Sequence, residues 1–381
     1  MSKFNRFLNP LYILSLILLT LSSGCIREEV EPADPIGNFD ALWNLIDQRY
    51  CYFDQKNIDW DEVYNTYRPL VDNSTSDLQL FAICSQMLDC LKDGHVNLSS
   101  LFDTSYYRKW WSDYPQDFNL RTLQQYYLNF NYHQTSGISY TIFDDKIGYM
   151  YYPSFSSGIG QTNLDYILAI LSDCEVLIID IRNNGGGLLT NIRTLVSRFI
   201  TDETPGGYII HKTGPAHSDF SSPYSFSYSP APDGRITWID KPIIILTNRS
   251  CYSAANNFVA IMKTLPNVTV AGAKTGGGGG LPFSSSLPNG WTVRMSASPI
   301  TAPDGSDSEF GIDPSEGCEI HCSDDELANG TDAILDFAIA RARQHIEEMC
   351  RFNIEVQNHL SCSSSILRGK APRPGGRAPD E

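Results

Sequence analysis

Basic residues are scarce in this chain: 28 Lys and Arg stand against 44 Asp and Glu, a formal net charge of −16 over 381 residues. Phosphate backbones are bound by clustered Lys and Arg, so this balance excludes a dedicated nucleic-acid binder. No Cys-x-x-Cys and no His-Glu-x-x-His occurs, nor does a Gly-x-Ser-x-Gly elbow or a Ser-x-x-Lys pair. These absences remove the commonest zinc, nucleophile-elbow and β-lactamase-like readings. The apolar run at residues 11–21 is shorter than the roughly 20 residues that a lone membrane-crossing helix needs. What is present is core-forming material, with 42% hydrophobic and 19% charged residues. That composition supports a folded chain with one large domain and a smaller one.

The N-terminus reads as an address. Lys3 and Arg6 precede the apolar run, and Leu21-Ser-Ser-Gly-Cys25 follows it. This is the layout of a signal peptide over residues 1–24. Its end resembles a bacterial lipobox, which would make Cys25 a lipidated first residue and residues 25–35 a tether. A lipid-anchored envelope protein follows as an expectation, facing the periplasm or the outside. Ten cysteines minus Cys25 leave an odd nine. The pairs Cys84/Cys90 and Cys318/Cys322 are close enough in sequence for disulfides, although spacing does not fix connectivity. Cys318-Glu-Ile-His-Cys322 is a weak zinc candidate, so the sequence calls for no metal and no cofactor.

Residues 36–100 read as helical, with Phe39, Leu42, Trp43, Ile46 and Tyr50 on one helical face. Asp59 and the box Ser76-x-x-Gln79 are helix starts, and Gly94 is a helix stop. Residues 101–146 read as connecting strands and loops. From residue 147 buried strands at 147–152, 176–180, 242–247 and 268–271 alternate with helices at 164–171, 188–200 and 254–265. A further strand is expected at 292–296 and a closing helix at 331–342. Residues 203–237 read as a surface excursion and 349–381 as a disordered tail. Such alternation predicts an α/β core over residues 147–348.

Four segments carry chemistry. In Leu91-Lys-Asp-Gly-His95, a histidine follows a helix stop and sits on a loop, where a general base can reach substrate. In Asp180-Ile-Arg-Asn-Asn-Gly-Gly-Gly187, a buried strand runs into glycines whose bare N–H groups suit an anion or an oxyanion. Asp180 and Arg182 there are expected to pair locally. In Thr247-Asn-Arg-Ser-Cys-Tyr-Ser253-Ala-Ala, Ser253 opens a helix, where it is either an N-cap or a nucleophile beside helix N–H groups. Ser250 is its competitor. In Asp307-Ser-Glu-Phe-Gly-Ile-Asp-Pro314, an acid beside a turn could orient a histidine or cap the turn.

In this order the four segments resemble the S41 serine peptidases, the C-terminal processing (tail-specific) proteases with their tricorn-like branch. The resemblance implies a crotonase/ClpP-like α/β spiral core with a helical N-terminal subdomain. It further implies that Ser253 attacks the scissile carbonyl and that His95 acts as base. The N–H groups of Gly187 and Ala254 would hold the oxyanion, and Glu309 would support His95, with Ser308 or Glu316 as alternatives. The family's lysine base belongs 25 positions after the serine, where this chain has Gly278; Lys274 aligns with a non-catalytic position. About 50 residues separate His95 from residue 147, too few for the family's PDZ domain. The expected activity is hydrolysis of envelope or extracellular peptides and unfolded proteins, with the pH response of a histidine near 6.5. The alternative is a non-catalytic crotonase-like binding lipoprotein.

Overall fold

The computed structural model describes residues 32–144 and 146–368. Cys25, the signal and most of the tether therefore lie outside the described residues, as does the tail from 369 onward. The chain opens with helices α1 (Pro35–Arg49), α2 (Phe53–Lys56), α3 (Trp60–Tyr67) and α4 (Asp77–Asp89). The start signals act locally as expected. Asp59 accepts from the N–H of Glu62 at 3.0 Å, and Gln79 accepts from the N–H of Ser76 at 3.0 Å. Phe39, Leu42, Ile46 and Tyr50 are buried with Trp60, Leu80, Met87 and Leu88 in a helical core.

Strand β1 (Asn97–Ser99) follows, then short helical turns at Lys109–Ser112 and Leu120–Thr122, then β2 (His133–Thr135) and β3 (Ile138–Phe143). The α/β core comprises β4 (Ile147–Tyr151), helix α5 (Gln161–Ile170), β5 (Val176–Asp180) and α6 (Leu189–Val196). It continues through β6 (Thr204–Ile209), β7 (Tyr224–Tyr228), β8 (Ile243–Thr247), α7 (Ala254–Met262) and β9 (Val268–Gly272). Strands β10 (Gly280–Ser286) and β11 (Thr292–Thr301), the short helix Asp324–Ala328 and the long α8 (Ala333–Arg368) complete the chain.

One sheet has the order β2-β3-β4-β5-β8-β9, and β4, β5, β8 and β9 run parallel. Period-two side-chain alternation sends Leu177, Ile179, Ile243 and Ile245 to one face, against α5, α6 and α7. It sends Val176, Ile178, Ile244 and Leu246 to the other, against Ile334, Leu335, Ala338 and Ala342 of α8. Both faces are covered, which is why these strands read as unbroken apolar runs. In the second sheet β11 pairs with β1, β10 and β6, while β6 pairs with β7. Val293 and Met295 of β11 pack into the helical core.

Four sequence readings change. The excursion at 203–237 contains the hairpin β6–β7, whose register shifts between Pro205 and Gly207, the type of irregularity at which a strand tolerates proline. Residues 276–280 are five consecutive glycines that read as a loop, yet Gly280 leaves this glycine loop to start β10, which also shifts register at Leu281/Pro282. The closing helix runs to Arg368, past the expected start of a disordered tail at 349, because no glycine or proline interrupts residues 331–368. The described cysteines, Cys84, Cys90, Cys318 and Cys322 among them, are free thiols, so neither short-range disulfide forms.

Candidate active site

The loops after β5 and β8 emerge at the carboxyl ends of neighbouring parallel strands, where open α/β sheets gather their ligands. Arg182 fixes the first loop from below. It binds Asp180 at 2.6 Å and Asp332 at 2.7 Å, and all three groups are fully buried. Asp180 and Arg182 thus pair with each other, and Asp332 ties that pair to the start of α8. Asn184 shapes the rest of the loop. Its side-chain oxygen accepts from Phe155 at 3.2 Å and Gly186 at 3.0 Å, and its amide donates to the Tyr152 carbonyl at 2.9 Å.

Ser253 has φ 57° and ψ −119°, a left-handed backbone unfavourable for a residue with a Cβ. The conformation is held from both sides. The Ser253 N–H donates to the Gly277 carbonyl at 2.8 Å, its carbonyl accepts from Asn257 at 3.0 Å, and the Tyr252 N–H donates to Asn184 at 3.1 Å. Its hydroxyl makes no capping hydrogen bond to α7, so the ordinary use of a serine before a helix is not realised. A Cβ on Gly186 would lie 2.8 Å from the Ser253 Cβ and 2.8 Å from the Ala254 nitrogen. Only glycine allows the two loops to approach this closely. The N–H groups of Gly187 and Ala254 donate to no acceptor among the described residues.

Ser253, His95, Gly187, Asn257 and Arg294 line a single cleft of about 460 Å3. No hydrogen bond joins Ser253 to His95. His95 is 4% exposed, and its Nδ1 is buried without a partner. Burial pushes its pKa down to about 4; Asp93 works against that shift, and Arg294 and Lys56 add to it. His95 is therefore a neutral imidazole at pH 7. Ser250 does not line this cleft.

Trp110 forms one wall, stacked on Tyr252 with ring centroids 4.1 Å apart. A second, larger cleft of about 970 Å3 lies beyond this pair, lined by Lys56, Lys92, Arg249 and Lys274 among others. It includes neither Ser253 nor His95.

Glu309 does not touch His95. Its carboxylate meets the Lys56 ammonium at 2.7 Å and accepts from the Gly279 N–H at 2.9 Å. The carboxylate beside His95 is Asp93, which accepts from the His95 backbone N–H at 2.8 Å. Asp93 is further bound by Lys56 at 3.3 Å and by the hydroxyls of Tyr50 at 3.0 Å and Tyr252 at 3.3 Å. With one ammonium between two buried carboxylates, Asp93 keeps the charge, lowered to about 2 by Lys56 and His95 against its burial. Glu309 is pushed up to about 8 by burial and by the charge of Asp93, with Lys56 pulling the other way. Ser308 instead donates to the Ile300 carbonyl at 2.7 Å, and Glu316 is exposed. Gly278 has φ +77°, and a Cβ there would meet the Tyr252 ring at 2.4 Å, so a lysine has no room at that position. Lys274 pairs with Asp313 at 3.1 Å.

Sequence reasoning missed Lys56, Asp93, Asn184, Trp110 and Arg294. Of these, Asp93 stood in the quoted histidine segment, and Arg294 alternates with buried Val293 and Met295 on a strand. Nothing local marks Lys56, whose partners lie 37 and 253 residues away.

Comparison with known proteins agrees with this architecture. The sequence profile of peptidase family S41 matches residues 146–316, and that of the tricorn protease C1 domain matches residues 32–89. A candidate peptidase from Parabacteroides merdae is 44% identical, over 82% of this chain and 97% of that one, with a TM-score of 0.77. Mature CPAF is 12% identical over 80% of this chain and 95% of its own, with a TM-score of 0.59. A Streptococcus agalactiae lipoprotein is 16% identical over 84% and 99%, with a TM-score of 0.51. The last two share the fold. The chain belongs to peptidase family S41 and is a serine peptidase, with the mixed α/β core and helical N-terminal region of that family.

Proposed function

We propose that the protein is a lipid-anchored endopeptidase of the bacterial cell envelope that cleaves peptides or unfolded proteins through a Ser253–His95 acyl-enzyme. The observation that carries the reading is the strained Ser253: its hydroxyl makes no cap to α7, and the residue lines the same cleft as His95. Backbone strain of this type costs about 1–3 kcal/mol and persists where surrounding bonds enforce it. In the first step Ser253 Oγ attacks the scissile carbonyl carbon while neutral His95 takes its proton. The developing oxyanion is met by the Gly187 and Ala254 N–H groups, which have no other acceptor. Collapse breaks the C–N bond, and His95 returns the proton to the departing amine. Water, deprotonated by His95, then attacks the ester and releases the acid and free Ser253. Asp93 balances the charge on protonated His95 in this scheme, and Glu309 fixes the glycine loop through Gly279.

The test is a fluorophosphonate label together with peptide turnover. Ser253→Ala is expected to abolish labelling and lower turnover at least about 1,000-fold. Ser250→Ala should change either only mildly. Labelling that survives Ser253→Ala would refute the assignment, and an unlabelled wild type would favour a non-catalytic binding protein.

A further inference from the structure

Among the described residues, Arg294 is the one cation that lines the cleft with His95, and no carboxylate pairs with it. Val293 and Met295 are fully buried in the helical core, so strand alternation turns Arg294 to the opposite face, where it lines the cleft with Ser253 and His95. Its strand neighbours, Asn97 on β1 and Ser284 on β10, carry no charge. The nearby acid, Asp93, already accepts from Lys56, Tyr50, Tyr252 and the His95 backbone. Glu309 is held by Lys56 and Gly279. The Arg294 guanidinium is partly buried, and no described side chain hydrogen-bonds to it. A desolvated, unpaired guanidinium is costly to keep, and its planar fork matches a carboxylate through two parallel hydrogen bonds.

We infer that Arg294 is a specificity-determining residue that binds a carboxylate of the peptide substrate beside the scissile bond. The inference deepens the peptidase reading and rests on it for the word substrate. A carboxylate at Arg294 would also cancel a positive charge that faces His95, making protonation of the imidazole easier once an acidic peptide is bound. The groups facing His95 in that balance are Asp93, Lys56 and Arg294. The carboxylate has two sources, an Asp or Glu side chain or the end of the chain, and the chemistry at Arg294 is the same.

Binding is read on the Ser253→Ala protein by fluorescence polarisation at low salt, so the measurement does not depend on turnover. One probe set consists of acetylated, amidated octapeptides in which a single Glu, or Gln as its neutral twin, is moved along an otherwise uncharged sequence. The other compares the same neutral octapeptide with a free and an amidated C-terminus. The carboxylate member of at least one set should bind about tenfold tighter, as expected for a charge-assisted pair. Arg294→Gln in the same background should shrink that preference to about twofold, while Arg294→Lys should retain an intermediate part of it. Which set shows the preference identifies the source. The inference is overturned if neither set discriminates, or if the preference survives Arg294→Gln at full size. Loss of fluorophosphonate labelling in the wild type would sink the catalytic reading yet leave this binding result readable.

Discussion

The histidine shows how burial changes an expectation drawn from residue type. A loop histidine near 6.5 would lose activity as pH falls through 6–7, whereas His95 is enclosed and pushed down to about 4. The acid limb of kcat/KM is therefore expected near pH 4–5, and a limb at 6–7 would contradict a buried neutral base. The sign for stability follows. Between 6.5 and about 4 the unfolded chain binds a proton that folded His95 refuses, so His95 costs stability as pH falls through that window. His95→Ala should approach the inactivity of Ser253→Ala, and the double variant should be little worse, because in the proposed mechanism the two act as a unit. Lys274→Ala, at the exposed pair with Asp313, should keep most of its turnover. The sequence displayed Ser253 because it opens a helix, and His95 because it stands on the loop between α4 and β1, although α4 already ends at Asp89, ahead of the expected stop at Gly94. It hid Arg294 and Lys56, whose meaning comes from strand alternation and from partners distant in the chain.

Elements were legible where burial was simple. The strand at 176–180 is found as read, and the strands now called β4, β8 and β9 differ by a residue at one end; in β5 and β8 runs of Ile, Leu and Val covered on both faces leave no alternative. The hairpin β6–β7 and β10 were not legible, since Pro205, Gly206 and Pro282 suppress the strand signal at their register shifts. Helix α2 matters out of proportion to its four residues, because it delivers Lys56 between Asp93, on the turn after α4, and Glu309, next to the glycine loop. Lys56→Met leaves the buried Asp93 charge without its cation, and a loss of about 3–5 kcal/mol is expected, measured as a lower denaturant midpoint. Lys56→Met combined with Asp93→Asn should recover part of that loss, because the unpaired buried charge is gone. If the double variant were no better than Lys56→Met alone, the uncompensated Asp93 charge would not be the source of the loss.

At the scale of the molecule, the helical core, the two faces of the large sheet and the second sheet converge on one cleft. Strand β11 links them, with Val293 and Met295 in the helices and Arg294 at the site. In the lipid-anchored reading proposed above, the position of this body relative to a membrane would rest on the N-terminal address. Helix α1 begins at Pro35, where Asp34 caps it by accepting from the Gly37 N–H at 2.8 Å. A lipid on Cys25 would thus be joined to the folded body by about ten residues, a reach of roughly 35 Å at full extension. Such a tether would hold the enzyme at a surface while leaving its cleft room to meet soluble peptides. One acyl chain alone binds a bilayer weakly and reversibly, so stable anchoring requires more than one chain on the cysteine. The full-length protein should partition into the detergent phase with an intact mass that shows the added lipid. Cys25→Ala should move it to the aqueous phase without loss of fluorophosphonate labelling at Ser253, separating address from chemistry. Continued membrane partitioning of Cys25→Ala would show that the anchor lies elsewhere.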